Sequence, residues 1–221
     1  MNARKLKIVA VTDIHGAYKL VAQIFEHERP DAGIIGGDLT NVGSVKEAEA
    51  ALKLFQSKVP TLFCVAGNMD LPQHDELYRR LGISINASGL LWEGIGLFGI
   101  SAAPISPLKT PYELTEEELL RRGKEGFRQI RHAKRKIFVP HAPPFGTRVD
   151  IIHSGFHVGS MSVRELVEDY RPDLVICGHI HEAYGDDLIG PTKVVNCGPA
   201  RNGHYVVVTI DEEITVQHKK S

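Results

Sequence analysis

Short apolar runs alternate with amphipathic stretches through the first 85 residues, and this rhythm constrains the fold more than any other feature of the chain. Leu6–Val11 reads as a buried strand. Residues 18–28 carry Leu20, Val21, Ile24 and Phe25 at helical spacing and stop at Pro30. Ala32–Ile35 is a second strand, and residues 45–56 form a helix with Val45, Ala48, Leu52 and Phe55 on one face. Thr61–Val65 is a third strand, followed by a short helix over 73–81. A βαβαβ order of this kind requires parallel strands with helices packed on the sheet.

The second half reads as mixed. Residues 90–100 contain Gly94, Gly96 and Gly99 and suit paired short strands rather than a helix. Residues 113–135 open with a Thr115-x-x-Glu118 capping pattern and continue as a charged helix, whose alternating signs suit a solvated face, a cover over a site or an oligomer contact. Lys136–Val139 and Leu174–Cys177 are apolar strands, with a helix over 163–170 between them. The tail from Lys193 to His218 alternates apolar and polar residues, as antiparallel strands do. No repeat or linker interrupts the chain, so residues 1–221 are expected to form one domain.

Charge is balanced, with 26 Lys+Arg against 27 Asp+Glu, which offers no bulk positive field for a long nucleic acid. The apolar share of 43% is enough for a sizeable core and excludes disorder. Cys64, Cys177 and Cys197 lie far apart in or beside apolar runs, so they read as buried thiols in a reducing compartment. After the basic N-terminal residues, the apolar run Ile8–Val11 is too short for a signal peptide or a membrane span. A cytoplasmic location is expected.

In an open α/β sheet, ligands collect beyond the carboxyl ends of the strands. The residues just past each apolar run are therefore informative: Asp13-Ile14-His15, then Gly37-Asp38, Gly67-Asn68-Met69-Asp70, Pro140-His141, and Gly178-His179-Ile180-His181. All five end in Asp, Asn or His, three of them introduced by a glycine suited to a sharp turn. One such residue alone is an ordinary cap or loop residue; five at equivalent positions point to a metal site. Asp13, His15, Asp38, Asn68, His141, His179 and His181 exceed what one tetrahedral zinc takes. They suit two five- or six-coordinate divalent ions with one bridging carboxylate. Mixed oxygen and imidazole donors favour Mn, Fe, Zn, Co or Ni over Mg or Ca; Mn is the first choice.

In this order, DxH, GD, GNxD, a strand-terminal His and GHxH resemble the calcineurin-like metallophosphoesterase family, and Asn196-Cys197-Gly198 is similar to its closing NxG turn. The resemblance runs over most of the chain and lies closest to small prokaryotic phosphoesterases. It implies a four-layer α-β-β-α sandwich of two mixed sheets flanked by helices. It also implies one ion held by Asp13, His15, Asp38 and His181, and a second held by Asp38, Asn68, His141 and His179, with Asp38 as the bridge. Many members place a proton-donating His after the Asn, whereas this chain has Met69, and a thioether donates no proton. Asp70, which orients that His in those members, is present without its partner. His157 is a candidate replacement donor, an ordinary loop histidine being the alternative.

The reaction implied is attack on phosphorus by a hydroxide bridging the ions. Two divalent cations, two Asp and a hydroxide leave one net positive charge toward an anionic ester, and metal binding lowers the pKa of water toward ~7. With no evident acid beside Asn68, phosphodiesters of acidic alcohols are expected over alkyl monoesters. Arg148 and Arg201 are the available phosphate contacts, or else plain loop cations. The expected partner is a small phosphate ester, a nucleotide included, with no long nucleic acid and no membrane; oligomeric state is open. The rival function is a protein-binding scaffold on the same fold, with little or no catalysis.

Overall fold

A computed structural model describes residues 4–221; Met1–Ala3, the first of the basic N-terminal stretch, lie outside the described residues. Leu6–Val11 (β1), Ala32–Gly36 (β2) and Leu62–Val65 (β3) run parallel, joined by helices Tyr18–Glu28 (α1) and Val45–Gln56 (α2) and followed by Gln73–Arg80 (α3). Gly89–Trp92 (β4) and Ile95–Ile100 (β5) form an antiparallel pair. Two-residue strands Ala103–Pro104 (β6) and Glu113–Leu114 (β7) precede helix Glu116–Ile130 (α4). Then come Arg135–Pro140 (β8), helix Met161–Tyr170 (α5), Leu174–Cys177 (β9), Gly185–Ile189 (β10), Thr192–Asn196 (β11), His204–Ile210 (β12) and Ile214–Lys220 (β13).

Two mixed sheets result, ordered β13-β12-β1-β2-β3 and β10-β11-β9-β8-β5-β4. Their inner faces meet in one apolar layer, with Ile8, Ala10, Ile34 and Val65 from the first against Leu97, Ile137, Val139 and Ile176 from the second. The alternate residues Val9, Val11 and Ile35 point outward to Val21, Phe25, Leu52 and Phe55 of α1 and α2. A third cluster joins Phe98, Phe138 and Val175 to Leu119, Ile130 and Leu166 of α4 and α5. Central strands are therefore buried on both faces, which is why they read as unbroken apolar runs. This is the expected four-layer sandwich.

Three local expectations need correction. The helix expected over 113–135 is shorter. Glu113 lies in β7, where it accepts from Ser106 and Thr110, and the Thr115 hydroxyl caps α4 by accepting from Glu118 N–H. This helix packs on the outer face of the second sheet, where an added Cβ at Gly123 would collide with Leu166. The tail is only partly antiparallel, because β11 pairs parallel with β9. Strand β10 was not expected at all: Asp186 and Asp187 break its apolar pattern, yet as an edge strand it pairs each with a cation or histidine, Asp186 with Lys193 and His218 and Asp187 with Arg148. All three cysteines are buried thiols, as expected.

Candidate metal centre

The C-terminal ends of β1, β2, β3, β8 and β9 converge. Asp13 N–H donates to Gly37 O, Ile14 and His15 N–H both donate to Asp38 O, and Gly178 N–H donates to His141 O across the second sheet. The chain turns sharply after β1, β2 and β9. Asp13 (φ 54°), His15 (φ 44°), Asp38 (φ 51°) and His179 (φ 69°) all hold the left-handed conformation. That conformation is uncommon for a side-chain-bearing residue and accumulates where function requires it.

The introducing glycines do more than turn. Gly37 has φ 108°, but Gly67 and Gly178 are not left-handed. Their purpose is proximity. A Cβ on Gly37 would strike the His141 ring, one on Gly67 the Asp38 carboxylate, and one on Gly178 the Asp13 carboxylate. Each glycine thus vacates the space taken by a polar side chain from a neighbouring strand.

All seven singled-out residues meet at this point. Asn68 Oδ1 lies 3.0 Å from His141 Nε2 and 2.8 Å from His179 Nδ1. Asp13 Oδ1 lies 3.2 Å from His181 Nε2, and the Asp13 carboxylate also accepts from His179 N–H. Asp38 Oδ2 is 3.6 Å from His15 Nε2 and 3.6 Å from His141 Nε2, equidistant from the two nitrogens. Its other oxygen accepts from Met69 N–H at 2.7 Å. Donor atoms of Asp13, His15 and His181 lie within 4.8 Å of one another, as do those of Asp13, Asp38 and His141. The two groups share Asp13 and so adjoin.

The electrostatics are those of a site in want of a cation. Asp13 and Asp38 are almost fully buried. Burial pushes the Asp38 carboxyl up against the pull of His141. Burial would do the same to Asp13, but the His181 hydrogen bond and the charges of His141 and His181 outweigh it and hold Asp13 below the usual carboxylate range. Burial also works against a charge on His141, yet Asp38 and Asp13 overcome it and push the ring up to about 9. His179 goes down to about 3 under burial and the His141 charge. Both ring nitrogens of His15 are buried with no hydrogen-bond partner. Unpaired buried polar atoms are costly, and a nitrogen facing a carboxylate across 3.6 Å fits a cation held between them. His141 is preset for this role, because Nδ1–H donates to Gly36 O at 2.9 Å and leaves Nε2 toward the site.

Asp70, expected among the catalytic residues, is fully buried and accepts from Leu39 N–H, Thr40 N–H, the Thr40 hydroxyl and Gly67 N–H. It therefore ties the β2 and β3 loops together beneath the site and touches no open surface. His157 lies in an exposed loop with Nδ1 2.6 Å from Asp150, whose buried carboxylate also accepts from Gly146, Thr147 and Gly159 N–H. Arg148 is engaged by Asp187 and Asp186 O. Arg201 places Nη2 3.2 Å from His181 Nδ1, and has no acidic partner among the described residues. Asn196 donates to Val149 O, Gly178 O and Ile180 O and accepts from Gly198 N–H, bracing the histidine loop. Two supports lay outside the sequence reading. The Thr12 hydroxyl donates to Gly198 O, and Asp75 gathers Ser101, Asn86 and Tyr112, the last of which also donates N–H to Asn68 O. No motif marks either one.

Comparison with known proteins agrees with this geometry. The chain is 34% identical over 199 residues to an uncharacterized protein of Methanocaldococcus jannaschii, covering 88% of each. Among solved structures it resembles a Thermus thermophilus protein (TM-score 0.74, 18% identity, 98% of this chain and 99% of that one). It also resembles a dimetal phosphatase from Danio rerio (TM-score 0.68, 10% identity, 100% and 97%). At those identities the structural matches speak for the fold. The profile of calcineurin-like phosphoesterases matches residues 6–183, the span that contains every strand-end residue of the site, and the chain belongs to that family.

Proposed function

We propose that this protein is a dinuclear metal-dependent phosphoesterase that prefers phosphodiesters. The observation that carries this reading is the arrangement of His15, Asp38 and His141: a buried carboxylate oxygen equidistant from two imidazole nitrogens, one of them on a ring with no hydrogen-bond partner. Asp13, His15, Asp38 and His181 would hold one ion, and Asp38, Asn68, His141 and His179 the other. Mixed oxygen and imidazole donors admit Mn, Fe, Zn, Ni or Co, and Mn is the ion we assign. When bound, the ions supply Lewis-acid stabilisation of phosphoryl oxygens and a nucleophile available at neutral pH.

The chain's own residues supply the rest. Asp38 fixes the spacing of the two halves, and the Met69 N–H fixes Asp38. Asn68 is a neutral ligand, so its half of the site keeps more positive charge than a carboxylate would leave. Arg201, at the His181 edge, offers hydrogen bonds to a phosphoryl oxygen. One such arginine suits the single charge of a diester better than the dianion of a monoester. Met69 has no proton for the leaving group; His157, held by Asp150, is the residue we assign to that task. Buried unoxidised thiols favour a cytoplasmic setting.

The test is hydrolysis of bis-p-nitrophenyl phosphate against p-nitrophenyl phosphate by EDTA-stripped protein with Mn²⁺, Ni²⁺, Co²⁺ or Zn²⁺ restored, beside Asp38→Asn. Metal-restored turnover favouring the diester and lost in the variant supports the reading. A preference for the monoester removes the diesterase assignment, and no turnover with any ion removes the enzyme.

A further inference from the structure

Asn68 and Met69 stand where three loops meet. Met69 O accepts from Val42 N–H at 2.8 Å, and Asn68 O accepts from Tyr112 N–H at 3.0 Å. The Asn68 side chain touches His141, whose strand runs on through Pro143 and Pro144 to Phe145. Each loop turns apolar side chains outward: Val42 at 49% exposure, Ile105 at 66%, Leu108 at 81%, and Phe145 and Phe156 on the third. Among the described residues, the large hydrophobics exposed elsewhere are Leu91 and Leu188, in edge strands, Met161, at the start of α5, and Tyr184, in the loop that carries His181. The rest lie in loops leaving the C-terminal ends of strands, on the side of the molecule where Asp13, Asp38 and the histidines converge.

Val42 adds an independent sign. It is β-branched and holds φ 58°, a conformation that steric clash makes rare for such a residue. Strain of this kind persists at ligand clamps and active sites. Here it presents an isopropyl group beside half-buried Met69, whose flexible thioether adapts to varied apolar shapes. At the opposite edge stands the Arg201 guanidinium, against His181. The Arg201 guanidinium thus stands at the His181 end, with the exposed Tyr184 in the same loop as His181, while the three apolar loops meet at the Met69 end.

We propose that the apolar flank around Met69 receives an apolar organic group carried by the phosphorus, so that the natural substrate is an ester of an aryl or longer alkyl alcohol rather than of a small polar one. This rests on the phosphoester-binding metal centre proposed above. An apolar group attached to a phosphoryl seated at that centre is the occupant the flank is placed to meet, because two of its loops are hydrogen-bonded to the backbone of Asn68 and Met69 and the third follows directly on His141, which the Asn68 side chain touches. A hydrophobic contact of one group in such a site is commonly worth 10–200-fold in discrimination, so an open-sided flank should give about tenfold.

Calorimetric binding of methylphosphonate, phenylphosphonate and octylphosphonate to Mn²⁺-loaded protein tests this, because the anionic head is constant and only the organic group varies. Phenyl- and octylphosphonate should bind about tenfold or more tightly than methylphosphonate. The ratio should fall toward one in Val42→Ser and Leu108→Ser, with methylphosphonate affinity unchanged and the thermal transition retained. Equal affinity for all three probes, or a ratio untouched by both substitutions, overturns the inference while leaving the metal centre standing. Binding of none of the probes by protein that holds its metal overturns both readings. Sedimentation as a dimer that both substitutions dissociate, with the probe ratio unchanged, assigns the flank to a subunit contact and overturns the inference alone.

Discussion

Gly67→Ala changes one hydrogen for a methyl group and should nearly abolish activity without unfolding the protein. A Cβ at Gly67 falls on the Asp38 carboxylate and the Asp38 backbone nitrogen, far inside the 3.4 Å at which ordinary contact begins. Gly67 lies inside the β3 loop, pinned by its N–H to Asp70 at 3.0 Å, so relief must come largely from Asp38. That carboxylate would have to move by roughly 1 Å, and a misplacement of that size commonly costs about 10²-fold in rate. The loss should appear in kcat and in retained metal, measured by mass spectrometry of dialysed protein, while circular dichroism stays native. Gly82→Ala is the matched control. Its φ of 70° strains alanine too, but nothing lies within 4 Å, so it should cost about 1 kcal/mol of stability and leave kcat unaltered. A Gly67→Ala protein with two bound ions and activity within about threefold of the parent would refute the close-approach argument.

Other contacts give further expected outcomes. Burial would raise the Glu28 carboxyl, but Lys219, Lys7 and Tyr205 outweigh it and bring it from 4.5 down to about 2. A depressed carboxyl stabilises the fold fully above pH 4.5 and progressively less as pH falls toward 2. The difference corresponds to roughly 3 kcal/mol, so Glu28→Gln should lower neutral-pH stability by up to about that much and flatten the acid limb of the urea midpoint against pH. Asp70→Asn sets an amide N–H₂ among donors and should cost about 1–3 kcal/mol, seen as a lower Tm with weakened metal retention. His157→Ala should slow esters of poor leaving groups by about 10²-fold or more and p-nitrophenyl esters little; equal losses on both would remove its role as a proton donor. EDTA should lower Tm and Mn²⁺ restore it, because ions that bind only the folded chain stabilise it by mass action.

Much of the site was legible in the sequence because its residues come directly after unbroken apolar runs. Burial on both faces keeps β1, β2, β3, β8 and β9 apolar to their ends, so the first Asp, Asn or His beyond each run marks both the strand end and the site. The function of the glycines was only half legible. A left-handed turn such as Gly37 can be guessed locally, but the collision avoided at Gly67 involves Asp38, and the one at Gly178 involves Asp13, from distant segments. Strand β10 was hidden by its two aspartates, which an edge strand tolerates and a central one does not. Asp70 illustrates a different limit: its place in GNxD suggests an orienting residue, but its four hydrogen bonds join the β2 and β3 loops, and three of them depend on a segment the motif does not contain. The pairing of His157 with Asp150 depends on an irregular loop and has no periodic signature.

The central claim is that Asp38 stands between two ions, and metal stoichiometry measures this most directly. Stripped protein, dialysed against Mn²⁺ and analysed by inductively coupled plasma mass spectrometry, should hold two ions per chain. Asp38→Asn should lose at least one of them and His15→Ala should weaken one while sparing the other. A single ion per chain, or two retained in full by Asp38→Asn, would contradict the bridged centre; no bound metal at all would return the fold to the scaffold reading.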